Sequence, residues 1–291
     1  MLQENKNGTI VSRWAEDLVS LGVEEGDTIL VRAALRKLGP TEQNRATALL
    51  QAFELVLGEN GALLALCFSE TYRRPSRKPQ ACFIKESHSS SGGLANAMLS
   101  YPGCYRSRHP TNSWIGLGNP AKKILQYHDE KSPCFSPIKD LIDNQGKMIL
   151  IGCAKESPGF STVHWAQFNL GLSYRNLLSN KTGIYYLDSY GNKKLFLQKD
   201  MPGCSRGFKH FYGDYAENEI LNTGYVGDAY CLLADAGRAY QIEHDILKNN
   251  PRYALCDDPL CKHCNLLVTY NKRKFIPFLI KKTIKKIKQG T

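Results

Sequence analysis

The sequence predicts a layered α/β protein in which helices cover a central mixed sheet and a small metal-binding element follows near the C-terminus. Three observations point there. Segments of helical period alternate with short continuous apolar runs, from Thr182 onward the pattern shifts to paired short strands, and cysteines cluster after residue 255. Arg13 to Leu21 is spaced as an amphipathic helix that ends at Gly22, and Gly26 to Val31 follows as a buried strand. Thr47 to Leu57 repeats the helical spacing, Gly58 closes it, and Gly61 to Phe68 is the next strand. Gly93 to Leu99 and Pro120 to Tyr127 are helical, Pro102 to Gly118 reads as a polar loop, and Lys147 to Gly152 is a strand opening onto a helix around His164. Gly183 to Leu187 and Lys194 to Leu197 form a short antiparallel pair.

With 291 residues, 42% apolar and 22% charged, the chain can bury a sizeable core, which excludes disordered, collagenous and disulfide-scaffold classes. No run approaches the roughly 18 apolar residues of a membrane span. The segment Met1 to Lys6 lacks the apolar core of a signal peptide, so the expected location is the cytoplasm. The net charge of +11 is unevenly placed. Asn271 to Thr291 hold eight basic residues and no acid, which leaves 30 basic against 27 acidic residues, or +3, before them. Within this tail Ile276, Ile280, Ile284 and Ile287 fall on one helical stripe among lysines. Two readings follow: attachment to an anionic membrane surface at the inner face of the membrane, or a terminal helix docked by its isoleucines.

The ten cysteines are expected to be reduced. Cys67, Cys82, Cys104, Cys134, Cys153 and Cys231 lack ligand spacing and read mostly as small core residues. Cys256, Cys261 and Cys264 are separated by four residues and then two, a chelating spacing. Cys204 is the expected fourth ligand, with His263 or His210 behind it. Four thiolates leave no open position, so the expected metal is a structural zinc. Clustered free thiols and an iron–sulfur cluster are the rival readings.

Two further segments carry candidate chemistry. Pro102 to Gly118 offers arginines, hydroxyls and backbone N–H groups of the kind that bind phosphate. Phe160 to Gln167 reads as a capped helix start, with His164 and Gln167 on one face. Together they resemble the aminoglycoside 3-N-acetyltransferase family, whose members include acyltransferases acting on other amines. Its strand and Leu-Gly turn are similar to Asp27 to Leu35 and Leu38-Gly39, and its Arg-Ser-x-His-Pro-x-x-Ser pattern is met by Arg106, Ser107, His109, Pro110 and Ser113. Ser136-Pro137 precedes the next strand as in the family, and Thr-x-x-His-x-x-Glu appears as Ser161, His164 and Gln167. A late Gly-x-x-Gly-x-Ala matches Gly224, Gly227 and Ala229, so the likeness spans roughly residues 12 to 250.

The resemblance implies transfer of an acyl group, in the first instance acetyl, from coenzyme A to a primary amine, with His164 as general base and Gln167 in place of the orienting glutamate. It implies coenzyme contacts from Arg32, Ala33, Arg106, Ser107, His109, Ser113 and Ser161. Arg32-Ala33-Ala34 replaces a family His-Ser-Ser, which leaves backbone N–H groups as the oxyanion donors there. Arg73 and Arg74, with Arg77 and Lys78, crowd the loop after the second strand. If they face the cleft they favour an anionic acceptor, so the leading acceptor is a nucleotide-linked amino sugar of polysaccharide biosynthesis. An aminoglycoside is the alternative acceptor. A non-catalytic nucleic-acid-binding protein is the rival of another class, and the tail's lack of stacking aromatics speaks against nucleic acid. The expected division is an acyltransferase domain over 1–250, a cysteine-rich zinc element over 251–270, and a basic amphipathic tail over 271–291.

Overall fold

The computed structural model describes residues 9–73, 82–156, 158–172, 182–198, 203–261, 263–264 and 272–289. Helix α1 (Ile10–Leu21) starts where the Thr9 hydroxyl accepts from Ser12 N–H at 3.2 Å, and Gly22 ends it in the left-handed region at φ 109°. Its buried stripe of Trp14, Leu18 and Leu21 packs on the sheet. Strand β1 (Thr28–Ala33) follows, then α2 (Arg45–Leu57), whose cap Asn44 accepts from the N–H groups of Ala46 and Thr47. Strand β2 (Ala62–Leu66) lies parallel to β1, with Ile29 opposite Leu63.

Next come β3 (Cys82–Phe83), α3 (Gly93–Met98), β4 (Tyr105–Arg106), β5 (Trp114–Leu117), α4 (Asn119–Leu125), α5 (Pro137–Asp143) and β6 (Lys147–Ile151). Beyond them lie α6 (Thr162–Asn169), β7 (Gly183–Leu187), β8 (Lys193–Leu197) and α7 (Phe211–Glu217). β9 (Leu221–Val226), β10 (Ala229–Asp235), α8 (Ala236–Asn249) and α9 (Lys272–Gln289) complete the order.

Seven strands form one mixed sheet in the order β4-β5-β2-β1-β6-β10-β9, in which β2, β1 and β6 are parallel and the outer pairings antiparallel. Parallel strands are covered on both faces, and the two-residue alternation divides them. Ile29, Val31, Leu63, Ile149 and Ile151 join the core under α1 to α3, whereas Leu30, Leu64, Met148 and Leu150 join the core under α4 to α8. The architecture is therefore layered α/β/α, as the pattern predicted. The antiparallel pair after Thr182 is β7 with β8, and β3 adds to it in parallel as a separate three-stranded sheet.

The reading of residues 102–118 as a loop is corrected. That segment contains β4 and β5, and all four residues of β5 are buried. Gly116 lets β5 pack against α4, since a Cβ there would lie 2.6 Å from that of Ala121. No helix among the described residues is long and apolar enough to cross a membrane.

Beneath α6 a carboxylic acid sits wholly inside the protein. Glu243 of α8 accepts hydrogen bonds from Thr162 Oγ1 at 2.7 Å and from the Tyr215 hydroxyl, both on one oxygen. Burial pushes its carboxyl up to about 8, and the two donors only partly oppose this. A group raised in the folded state contributes stability that is complete below its unfolded value of 4.5 and is lost as pH rises through about 8. Glu243→Gln cannot ionise, so its melting temperature should gain on wild type between about pH 5 and about pH 9. A difference that stays constant with pH would mean that Glu243 is charged throughout.

Candidate active site

The carboxyl ends of β1 and β2 and the loop after β6 meet the first turn of α6 around a cavity of about 340 Å³. Such an edge is where open α/β sheets collect ligands, because each strand there hands its chain to a loop. Arg32, Ala33, Phe68, Cys153, Ser161 and His164 line it, with Gly203, Ser205 and Phe208 closing one side.

His164 is half-buried, stacked on Phe135 at 4.6 Å and in a T-shaped pair with Phe208 at 4.8 Å. The three-residue spacing on α6 brings Gln167 alongside, and its Oε1 lies 3.3 Å from His164 Nδ1. An amide oxygen only accepts, so Nδ1 carries the proton and Nε2 keeps its lone pair. Desolvation between the two rings lowers the imidazole to about 4; the Gln167 bond opposes this and the Arg32 charge adds to it. The ring is thus neutral at pH 7.

Arg32 points to the α6 side of the sheet, where Nη1 donates to Gly159 O at 2.9 Å. Gly159 is held closely. Its N–H donates to the Tyr212 hydroxyl at 2.7 Å, its φ is 74°, and a Cβ would lie 2.1 Å from that of Phe208. Burial lowers the Arg32 guanidinium, yet an arginine remains charged. It is the one fully charged side chain lining the cavity among the described residues, and no carboxylate lines it. The Ala34 N–H is bound to Ile151 O at 2.9 Å, which removes it as an oxyanion donor. The Ser161 hydroxyl lines the cavity and makes no capping bond to α6.

The structure does not bring Arg106, Ser107, His109 and Ser113 to this cavity. Arg106 is buried and turns inward: Nε donates to Ser113 Oγ at 2.9 Å, Nη2 to Cys67 O at 2.8 Å and Ser69 Oγ at 3.2 Å, and Nη1 to Lys85 O and Ser87 O. Ser107 Oγ accepts from Trp114 N–H and meets His128 Nδ1 at 3.0 Å. His109 Nδ1 accepts from Asn112 N–H at 3.0 Å, and its ring stacks on His128 at 4.9 Å. Gln198, after β8, donates to Asn112 Oδ1 at 2.6 Å and ties the small sheet to this loop. These polar residues satisfy one another, and what the sequence presents as a phosphate loop is an internal brace. Arg73 is exposed and outside the cavity lining, and Arg74, Arg77 and Lys78 lie outside the described residues.

A second constellation lies where 203–210 packs on 253–264. The sulfurs of Cys204, Cys256, Cys261 and Cys264 all lie within 4.8 Å of one another. Tetrahedral zinc with Zn–S near 2.3 Å sets sulfurs roughly 3.8 Å apart, so this set can coordinate a metal with small shifts. Cys256 and Cys264 sulfurs are 3.5 Å apart as free thiols, far beyond a disulfide bond. His210 instead meets Tyr253 O at 2.9 Å and Asp257 at 3.1 Å. Sequence reasoning missed Phe135, Phe208, Gly159, Tyr212 and Glu243, which lie in segments without a diagnostic pattern.

Comparison with known proteins agrees with this architecture. The family model described as aminoglycoside 3-N-acetyltransferase matches residues 30–248. Aminoglycoside N(3)-acetyltransferase VII of Streptomyces paromomycinus is 26% identical over 184 residues, covering 57% of this chain and 63% of that protein. The chain thus spans under two thirds of that relative. Aminoglycoside N(3)-acetyltransferase IX of Micromonospora chalcea is 26% identical over 261 residues, covering 79% of this chain and 90% of its own length. The solved structure of AAC-IIIb as a binary complex with CoASH shares the fold, with a TM-score of 0.72 and 20% identity over 83% of this chain and 97% of that one.

Arg106→Lys separates the internal brace from a coenzyme contact. A lysine cannot span the carbonyls and hydroxyls that the guanidinium joins. Losing two hydrogen bonds to a charged group should cost about 3 kcal/mol or more of stability. Coenzyme A affinity should stay unchanged, and weakened affinity at full stability would return Arg106 to the binding site.

Proposed function

Because the chain belongs to the aminoglycoside 3-N-acetyltransferase family, we propose that it moves an acetyl group from acetyl-CoA to a primary amine of an aminoglycoside, with His164 as general base. The observation that carries this reading is the imidazole held at the mouth of the sheet by Phe135, Phe208 and Gln167. The amine nitrogen attacks the thioester carbonyl, its proton passes to His164 Nε2, and the tetrahedral species expels the coenzyme thiolate, which takes up a proton. Amide and free coenzyme A are the products. An apolar cavity beside the Arg32 cation disfavours an ammonium ion, so the reacting amine enters as the neutral nucleophile. The same cation, with the Ser161 hydroxyl at the positive end of α6, favours the developing oxyanion.

The names of the relatives support an aminoglycoside acceptor over a nucleotide-linked amino sugar. The electrostatic case for the nucleotide sugar also weakens, since Arg73 lies outside the cavity lining and Arg32 is engaged with Gly159. In the same reading the four thiolates hold a structural zinc, because a closed sulfur set leaves no position for substrate. The tail is read as a membrane-surface contact. In α9 Ile280 and Ile284 are 54% and 48% exposed and so open to a membrane surface, while Phe278 of the same helix is buried. Flotation with anionic vesicles should carry the intact chain and leave behind one truncated after residue 271; equal recovery of both would refute the tail's role.

Mass spectrometry of reactions with acetyl-CoA should find an acetylated aminoglycoside and no acetylated nucleotide amino sugar; the reverse pattern would overturn the acceptor. His164→Ala should lower kcat by roughly 100-fold or more, the range of a general base. Near wild-type turnover would remove His164 from the chemistry. Gln167→Glu places a carboxylate beside Nδ1 and should move the acidic limb of the rate profile to higher pH. An unmoved limb would show that the two side chains do not meet in solution.

A further inference from the structure

Cys204 does two things at once. It is one of the four clustered sulfurs, and its neighbours Gly203 and Ser205 line the cavity, with Phe208 three residues further on. The short strap from Gly203 to Phe208 is therefore both a wall of the cavity and one arm of the thiolate cluster. Phe208 is buried, and its ring makes a T-shaped pair with the His164 ring at 4.8 Å. Gly207 lies directly on the other arm, since a Cβ there would sit 2.4 Å from the Leu255 carbonyl carbon and 2.5 Å from Ala254 O. Just beyond the strap His210 also meets Tyr253 O and Asp257, while the ties Arg206 to Asp258 and Lys209 to Asp257 are exposed ion pairs of little individual worth. The Arg206 backbone N–H and Nε point to Cys204 Sγ at 3.4 and 3.5 Å, as donors do toward a thiolate ligand.

We propose that a zinc ion bound by Cys204, Cys256, Cys261 and Cys264 clamps the strap so that Phe208 holds the His164 ring in its working position. The metal touches neither substrate nor coenzyme; the strap transmits its effect, and Phe208 is a positioning residue. This rests on the zinc and acyltransferase readings above and adds a connection between them. It also accounts for the position of Cys204, some fifty residues before the other three ligands. A zinc element that merely closed the C-terminus could draw its fourth ligand from its own neighbourhood, as His263 would supply. This ligand comes instead from the segment that covers the imidazole.

The test uses the full chain purified without chelator, with histidine labelled for NMR and the His164 signal assigned by His164→Ala. Wild type should hold about one zinc per chain, and cobalt should substitute with the visible spectrum of tetrahedral thiolate coordination. Cys261→Ser should lose the metal, shift the His164 ring protons as the Phe208 ring current changes, and lower kcat about tenfold or more. If Cys261→Ser fails to fold, Phe208→Ala decides, because it leaves every ligand in place. It should retain zinc yet show the His164 shift and the loss in kcat, while Phe208→Tyr should restore both. Metal-free Cys261→Ser with unmoved His164 protons and full kcat would overturn the clamp, as would zinc-loaded Phe208→Ala behaving as wild type. No metal in wild type, or a Cys256–Cys264 disulfide in its place, would overturn the centre itself. Failure of the acyltransferase reading looks different: no acceptor is acetylated, while the zinc-dependent shift of His164 persists.

Discussion

In the proposed reading, the candidate active site depends on keeping one imidazole neutral. A histidine in water is about one-quarter protonated at pH 7, and the protonated fraction cannot accept a proton from an attacking amine. Here Phe135 and Phe208 both pack against the His164 ring, and burial lowers its pKa. Gln167 Oε1 accepts the hydrogen bond from Nδ1–H, and Arg32 adds a charge that discourages a second proton. Each partner comes from a different part of the fold: Arg32 from the centre of the sheet, Phe135 from just before α5, Gln167 from α6 itself and Phe208 from the strap before α7. The helices around the sheet edge are arranged to hold this stack.

That arrangement also gives the Glu-to-Gln departure a physical meaning. A carboxylate at residue 167 would stabilise the charged imidazolium, whereas the amide stabilises the neutral ring in one tautomer. Under the proposed reading the base then stays available over a wider pH range but is a weaker proton acceptor. Arg32 fits the same economy of charge. Where the family pattern has small polar residues, this chain has a cation lining the cavity, and under the proposed reading the negative charge it favours is the one formed when the thioester carbonyl is attacked.

Much of the fold was legible because apolar periodicity is a direct image of burial. The β1, α2, β2 and β6 segments carry it plainly, and Gly22 and Gly58 mark where helices stop. The site was half legible. His164 and Gln167 stand three apart at a helix start, and the cysteine spacing speaks for itself. The Arg106 to Ser113 segment was recognised as special but assigned outward, since residue types that bind phosphate are the same types that satisfy one another when buried. Glu243 was hidden among Gln241, His244 and Asp245, neighbours that make its stretch of α8 look like a solvated face. Phe135 and Phe208 carry no mark that separates a ring beside a histidine from any other core ring.

The most direct measurement of the account is an NMR titration of the His164 ring nitrogens in the coenzyme-free enzyme. The ring should titrate at about 4, with the proton on Nδ1 and Nε2 unprotonated at pH 7. Titration at or above the ordinary value of 6.5 would contradict this, because the ring would then not be desolvated.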